Sequence, residues 1–386
     1  MKEIYLDNAA TTKVDEKVVK DMLPYFTEYY GNASSQHLKG NVARKALEDS
    51  RRIIASSINA RLDEIIFTSG GTESNNLAIK GLFFYHKENK TGKKHIITTK
   101  IEHDCVLNTC KWLEKHGAEV TYLDVNSDGF IDLNKLKKSI KGDTLIVSII
   151  HGNNEIGTIQ DLEAIGKICK EKGVYFHTDA CQSYTKTLIN VKKQNLDFVT
   201  LNSHKIHGPK GAGALYIKEG IKIIPMAHGG GHERSLRSGT ENIPGIVGFA
   251  SAVKNFNPEN IKKMERLRNY LINELLKIPN VSLNGSRENR LCNNVNVSFN
   301  DIEGESIGGL LQAYGIYTST GSACMSHSLE TSHVLKALGL SALQSNSSLR
   351  ISISKYTTEE EIKFFLEIIP KVVERLRKIS PLSKIN

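Results

Sequence analysis

The sequence predicts an α/β architecture: a large three-layer α/β/α domain on a mainly parallel sheet, followed by a smaller α+β domain. Between residues 60 and 217, short β-branched runs alternate with longer helical patterns, the order of a parallel sheet with crossover helices. Most of these runs are continuously apolar, as expected of strands covered on both faces. The pattern changes near residue 255, and a chain of 386 residues exceeds what one small core organises.

Along the chain, Ile65-Ile66-Phe67-Thr68 is the first strand, and the Ser69-Gly70-Gly71 turn leads it into a helix near 73–88. Strands at 95–99 and 119–125 flank a helix near 103–116. A helix near 131–140 precedes the strand 144–150, and another near 161–172 precedes the strand 174–178. Strands at 198–201 and 212–217 complete the sheet, separated by a Gly/Pro turn. Farther on, Ile261, Met264, Leu267, Leu271, Leu275 and Ile278 share one face of a helix over 261–278, which Pro279 ends. Strands at 293–299 and 349–354 and helices at 305–314 and 358–378 build the smaller domain.

Composition narrows the class. With 39% hydrophobic and 24% charged residues and no long apolar run, the chain reads as globular, without a membrane span or fibre repeat. Lys and Arg exceed Asp and Glu by nine, but the charges are scattered, which favours a solvated basic surface over a nucleic-acid face. The six cysteines form neither a C-x-x-C pair nor a zinc-spaced cluster, and MKEIYLDNAATT carries no apolar leader, so reduced thiols in the cytoplasm are expected.

In parallel sheets, ligands gather at the carboxyl ends of the strands, and the residues there are polar in succession. Gly71 and Thr72 open a helix after a glycine turn, a place for an anion such as phosphate, although from that segment alone a plain turn is the commoner reading. His103, then Asn154, then Asp179 and Gln182 follow the next strands. After 198–201 comes Asn202-Ser203-His204-Lys205, a lysine among small polar and imidazole groups, suited to Schiff-base chemistry if desolvated.

The set Asp179-x-x-Gln182, Ser203-His204-Lys205, Ser69-Gly70-Gly71-Thr72-Glu73 and Arg237-Ser238-Gly239-Thr240 resembles the class V aminotransferase branch of the fold type I pyridoxal-phosphate (PLP) enzymes, and within it the NifS/IscS cysteine desulfurases. The likeness runs from Tyr5-Leu6-Asp7-Asn8-Ala9-Ala10-Thr11-Thr12 to the final helix. It implies PLP as cofactor and a division into a large PLP-binding domain, 14–254, and a small domain of 1–13 with 255–386. Asp179 would keep the pyridine nitrogen protonated, Gln182 would bond the phenolic oxygen, and His103 would stack on the ring and transfer protons. Lys205 would hold PLP and move the Cα proton. Gly71, Thr72 and His204, with Asn202 as a further candidate, would take the phosphate, and Thr240 would reach the phosphate of the other subunit of a homodimer. Arg350 would clamp the substrate carboxylate, with Asn154 between it and the cofactor.

Cys324, in Thr320-Gly321-Ser322-Ala323-Cys324, is the expected sulfur acceptor, on a loop over 318–329 whose contour is about 40 Å when extended. The resemblance therefore implies conversion of L-cysteine to L-alanine through a Cys324 persulfide. Its sulfur would go to an acceptor protein, an iron–sulfur scaffold or a tRNA-thiolation factor. A selenocysteine lyase or another class V aminotransferase-like enzyme is the alternative, although transamination has no use for Cys324. A non-catalytic sulfur relay or RNA-binding protein has none for an intact Lys205, Asp179 and His103. No metal, membrane or direct nucleic-acid contact is expected. Departures from the family pattern are Asn202 and Ser203 ahead of His204, Ala33 and Thr331 where Pro is usual, and the short end at Asn386.

Overall fold

The computed structural model describes residues 3–320 and 331–380. Seven strands form the large sheet in the order Ile65–Thr68, Gly213–Ile217, Phe198–Asn202, Tyr175–Asp179, Thr144–Ser148, His95–Thr99, Glu119–Leu123. The last five run parallel, and Gly213–Ile217 is antiparallel to both its neighbours. The reversal follows from chain length, because a parallel return needs a crossover of about a dozen residues or more and the turn carrying Lys205 is shorter. The mainly parallel sheet expected from the sequence is thus present, with somewhat shorter strands. Val125 leaves the strand and forms an isolated bridge with Ile131, whereas Ile149 and His151 continue past Ser148 by donating to the carbonyls of His177 and Asp179.

Apolar layers cover both faces. Helices Leu38–Ser57, Leu162–Lys172 and Ile243–Lys254 bury Leu47, Ile54, Ile165 and Phe249 with Phe176 and Leu201 of the sheet. On the other face, Gly71–Glu88 and Asp104–Glu114 bury Leu77, Leu82, Val106 and Leu113. A separate core gathers Ile4 and Leu6 with residues from Met264 to Val373. It is built on an antiparallel sheet of Ser348–Ser352, Asn294–Phe299 and Val281–Leu283. Helices Glu259–Leu275, Gly304–Gln312 and Glu359–Ile379 contribute to it.

The helix Glu259–Leu275 stops before Ile278, because Pro279 disfavours a helical Ile278 and Asn280 then turns left-handed at φ 56°. The N-terminal segment is stitched in over its length. Ile4–Tyr5 pairs with Ile316–Tyr317, Ser352 N donates to the Leu6 carbonyl, and Thr12 Oγ1 donates to the His204 carbonyl. A small cluster of Ile101, Ile150 and Ile156 seats the helix His333–Ala337 against the strand ends. Among the described residues no helix is long and apolar enough to cross a membrane.

Candidate active site

The parallel strands end on one side of the sheet, and the polar residues singled out above collect there. Behind Ile65–Thr68 the chain turns through Gly70 at φ 156°, ψ −174°, a region essentially closed to other residues, and enters Gly71–Glu88 without a side-chain cap. The first-turn N–H groups are left for an anion. The cradle is tight below and open above. A Cβ at Gly71 would lie 2.5 Å from Cys181 Sγ, while one at Gly70 would meet nothing within 4 Å. The Asn202 amide nitrogen lies 3.8 Å from the Gly71 position, and the Asn202 Oδ1 is buried without a partner among the described residues.

One turn into this helix, Asn75 Nδ2 donates to Asp179 Oδ2 (2.7 Å) and to Cys105 Sγ (3.1 Å), and the Cys181 N–H donates to Asp179 Oδ1 (2.9 Å). Asp179 is therefore a buried carboxylate held from two sides at its strand end. His103 caps Asp104–Glu114, its Nδ1 accepting from the Cys105 N–H (3.2 Å). Burial and the Lys205 ammonium hold the imidazole below the usual histidine range, against the pull of Asp179 and Asp104. Just before it, Glu102 is wholly buried and pushed up to about 8 by desolvation, although the Ile150 N–H and the Thr99 hydroxyl bond its Oε1.

Lys205 sits in the turn after Phe198–Asn202, and its charge is felt at His103, Cys105, Cys181, His204 and Asp7. Its neighbour His204, bonded to Thr11 Oγ1 at 3.1 Å, is lowered to about 4 by burial and then by Lys205, so it is neutral at physiological pH. Gln182 is buried and donates one amide hydrogen to the Ala9 carbonyl.

Arg350 enters from Ser348–Ser352. Its Nη1 donates to the Asn154 carbonyl (3.2 Å), and its Nη2 meets Asp7 Oδ1 at 3.0 Å. Burial raises the Asp7 carboxyl despite Arg350 and Lys205 beside it. Arg350 Nε and Asn154 Oδ1 are buried without partners among the described residues.

Thr240 is not brought to this cradle; it is exposed on the segment after Glu233. That segment is tied back by Arg237, whose Nε donates to Glu73 (2.8 Å), and by a buried bidentate pair in which the Arg51 guanidinium holds both oxygens of Glu233 at 2.7 Å. Glu233, Arg234 and Ser235 are all left-handed. Cys324 lies outside the described residues, between Thr320 and Thr331.

A phosphate cradle, a buried carboxylate at another strand end and a lysine among them are the groups PLP requires, and the open space above Gly70 with the donor Nδ2 of Asn202 near Gly71 fits its phosphate. The aminotransferase class-V family model matches residues 4–365. The chain belongs to that family. Its relatives place it in the cysteine desulfurase branch, which is PLP-dependent, and PLP is the cofactor here. It is 50% identical to the cysteine desulfurase IscS of Methanosarcina thermophila, over 99% of this chain and 95% of that one. With the IscS of Dictyoglomus turgidum the identity is 48%, over 98% and 97%. A solved NifS-like protein superposes with a TM-score of 0.91 at 39% identity, covering 97% of this chain and all of that one. A structure described as SspA in complex with cysteine superposes at 0.83 with 40% identity, covering 92% and 100%.

The motifs of the sequence miss Asn75 and Cys105 and give Asp7 no role. Spacing offers a signal for the first, since Asn75 lies four residues after Gly71 and so on the same helix face. Cys105 lies two residues after His103 and touches it, a contact no motif announces.

Proposed function

We propose that this chain removes the sulfur of L-cysteine, leaving L-alanine, and passes it to acceptor proteins. One observation carries the reading: the Asp7 carboxylate feels both the Arg350 guanidinium, 3.0 Å away, and the Lys205 amine. A guanidinium and a reactive amine sharing one pocket suit an amino acid, whose carboxylate falls to the cation while its amino group is directed to the cofactor. The relative solved with cysteine supports the same substrate.

PLP, when bound, supplies a sink for the electrons released at the substrate Cα. The chain's residues do the rest. Gly71, Thr72, His204 and Asn202 would hold its phosphate, Asp179 would serve the ring nitrogen, and Gln182 would offer an amide hydrogen to the phenolic oxygen. Lys205 would anchor the cofactor and move the Cα proton. Arg350 orients the carboxylate beside Asn154, and His103 faces the substrate. The Cys324 thiolate attacks the substrate sulfur, so that an S–S bond forms, the C–S bond breaks, and the carbon takes up a proton. Cysteine and the Cys324 thiol thus become alanine and a Cys324 persulfide.

A homodimer accords with an exposed Thr240 and with Phe26, Tyr30 and Leu38, which are 59%, 63% and 82% exposed. An iron–sulfur scaffold or a tRNA-thiolation factor would receive the sulfur, and the cytoplasm is the fitting compartment for a reactive thiol. Cys324→Ala, loaded with PLP, should keep its visible absorption and the change that cysteine induces, while sulfide release with a reductant disappears. Undiminished release would refute Cys324 as the acceptor.

A further inference from the structure

Cys105 stands between the two groups that address opposite parts of the cofactor. Its Sγ is 3.1 Å from His103 Nδ1 on one side and 3.1 Å from Asn75 Nδ2 on the other, and Asn75 Nδ2 also reaches Asp179 at 2.7 Å. The direction of every bond in this series follows from its end. A carboxylate only accepts, so the Asn75 amide nitrogen must face Asp179, and its second hydrogen then points at the sulfur. With the sulfur accepting from Asn75, the thiol has its own hydrogen left to give, and His103 Nδ1 is the acceptor in reach.

The Cys105 backbone N–H also donates to that Nδ1, at 3.2 Å, and so adds to the thiol's bias against a proton there without fixing the tautomer alone. We infer that Cys105 is a positioning residue: it ends a hydrogen-bond relay from Asp179 that fixes His103 with its proton on Nε2, so that His103 meets the substrate as a hydrogen-bond donor and not as a base. The inference rests on the reading of His103 as the residue facing the substrate.

The surroundings agree. The thiol is pushed up to about 12 by burial and then by Asp179, so it remains a donor. Around His103, burial, Lys205 and His333 oppose a second ring proton, while Asp179 and Asp104 favour it; the sum leaves the ring neutral. An imidazolium would also give up the cap of Asp104–Glu114 and set a positive charge at a helix N-terminus.

The PLP-loaded enzyme, labelled with nitrogen-15 histidine and with His103 assigned by its absence from His103→Gln, gives the tautomer and its titration directly by NMR. The wild type should show Nε2–H. Cys105→Ala should show mixed tautomers and a titration midpoint higher by about half to one pH unit, the equivalent of one neutral hydrogen bond. Cys105→Ser should restore the wild-type pattern. A wild-type Nδ1–H overturns the relay even if Cys105→Ala does not fold. A Cys105→Ala spectrum matching wild type, or a Cys105→Ser spectrum matching Cys105→Ala, overturns the role of the thiol. An enzyme that shows Nε2–H yet releases no sulfur from cysteine overturns the functional reading and leaves the relay standing.

Discussion

Replacing Glu233 by Gln tests how the segment leading to Thr240 is held. The Arg51 and Glu233 side chains are 4% and 2% exposed, and the guanidinium meets both carboxylate oxygens at 2.7 Å. Glutamine keeps the shape and the oxygen that the Phe67 N–H requires, but it removes the charge and turns an amide N–H toward the guanidinium. Arg51 would keep that one uncharged oxygen, the Ile65 carbonyl and the partly exposed Glu48 at 3.2 Å, and Nη2 would lose its acceptor. Stranding one member of a buried pair costs about 3–5 kcal/mol, and Glu48 favours the lower end.

Three consecutive left-handed residues add about 1 kcal/mol or more each that the pair must hold in place. Urea denaturation followed by far-ultraviolet circular dichroism, at fixed protein and PLP concentration, measures the loss. Trypsin should then cut after Arg234 in the variant and spare the wild type. In the cycle with Arg51→Met, the double variant should lose less than the two singles together by about 2 kcal/mol or more. Additive losses, or a Glu233→Gln loss under about 1 kcal/mol, would refute the strut.

The cradle and the buried acid give two further tests. Gly71→Ala brings a methyl to 2.5 Å from Cys181 Sγ, and overpacking of this kind costs about 1–3 kcal/mol, so PLP affinity by absorbance titration should fall about tenfold or more. Adding Cys181→Ala should recover most of it, since Thr200, the next neighbour, is 3.7 Å away; no recovery would place the fault elsewhere. Glu102 titrates near 8 when folded, against about 4.5 for an ordinary glutamate, so between those values the folded chain binds the extra proton and loses stability as pH rises. The urea midpoint of the wild type should therefore drop from pH 6 to pH 8.5 more than that of Glu102→Gln, and equal slopes would mean that Glu102 is already ionised.

Local pattern was enough for the large sheet, because most of its strands are short, largely apolar runs between polar turns. It was not enough for two large helices. Leu38–Ser57 sets Leu47 and Ile54 among Gly40, Ala43, Ala46, Ser50, Arg51 and Ala55, a buried face mostly small or polar, and Ile243–Lys254 is apolar nearly all round and so has no period to read. The site divides in the same way. Lys205, Asp179, Gln182 and His103 lie in short motifs, whereas the partners of Asp179, Glu233 and Asp7 are 104, 182 and 343 residues distant in sequence and come together only in the fold.

The stitching of the first dozen residues bears on biosynthesis. They leave the ribosome long before their partners, which include the carbonyl of His204, the strand Ile316–Tyr317 and Ser352, and Asp7 reaches Arg350. The pocket for the amino acid can therefore close only once Arg350 has been made, late in a folding path of high contact order. An early-folding sheet can offer the glycine cradle while translation continues, but the substrate clamp is among the last parts to be completed.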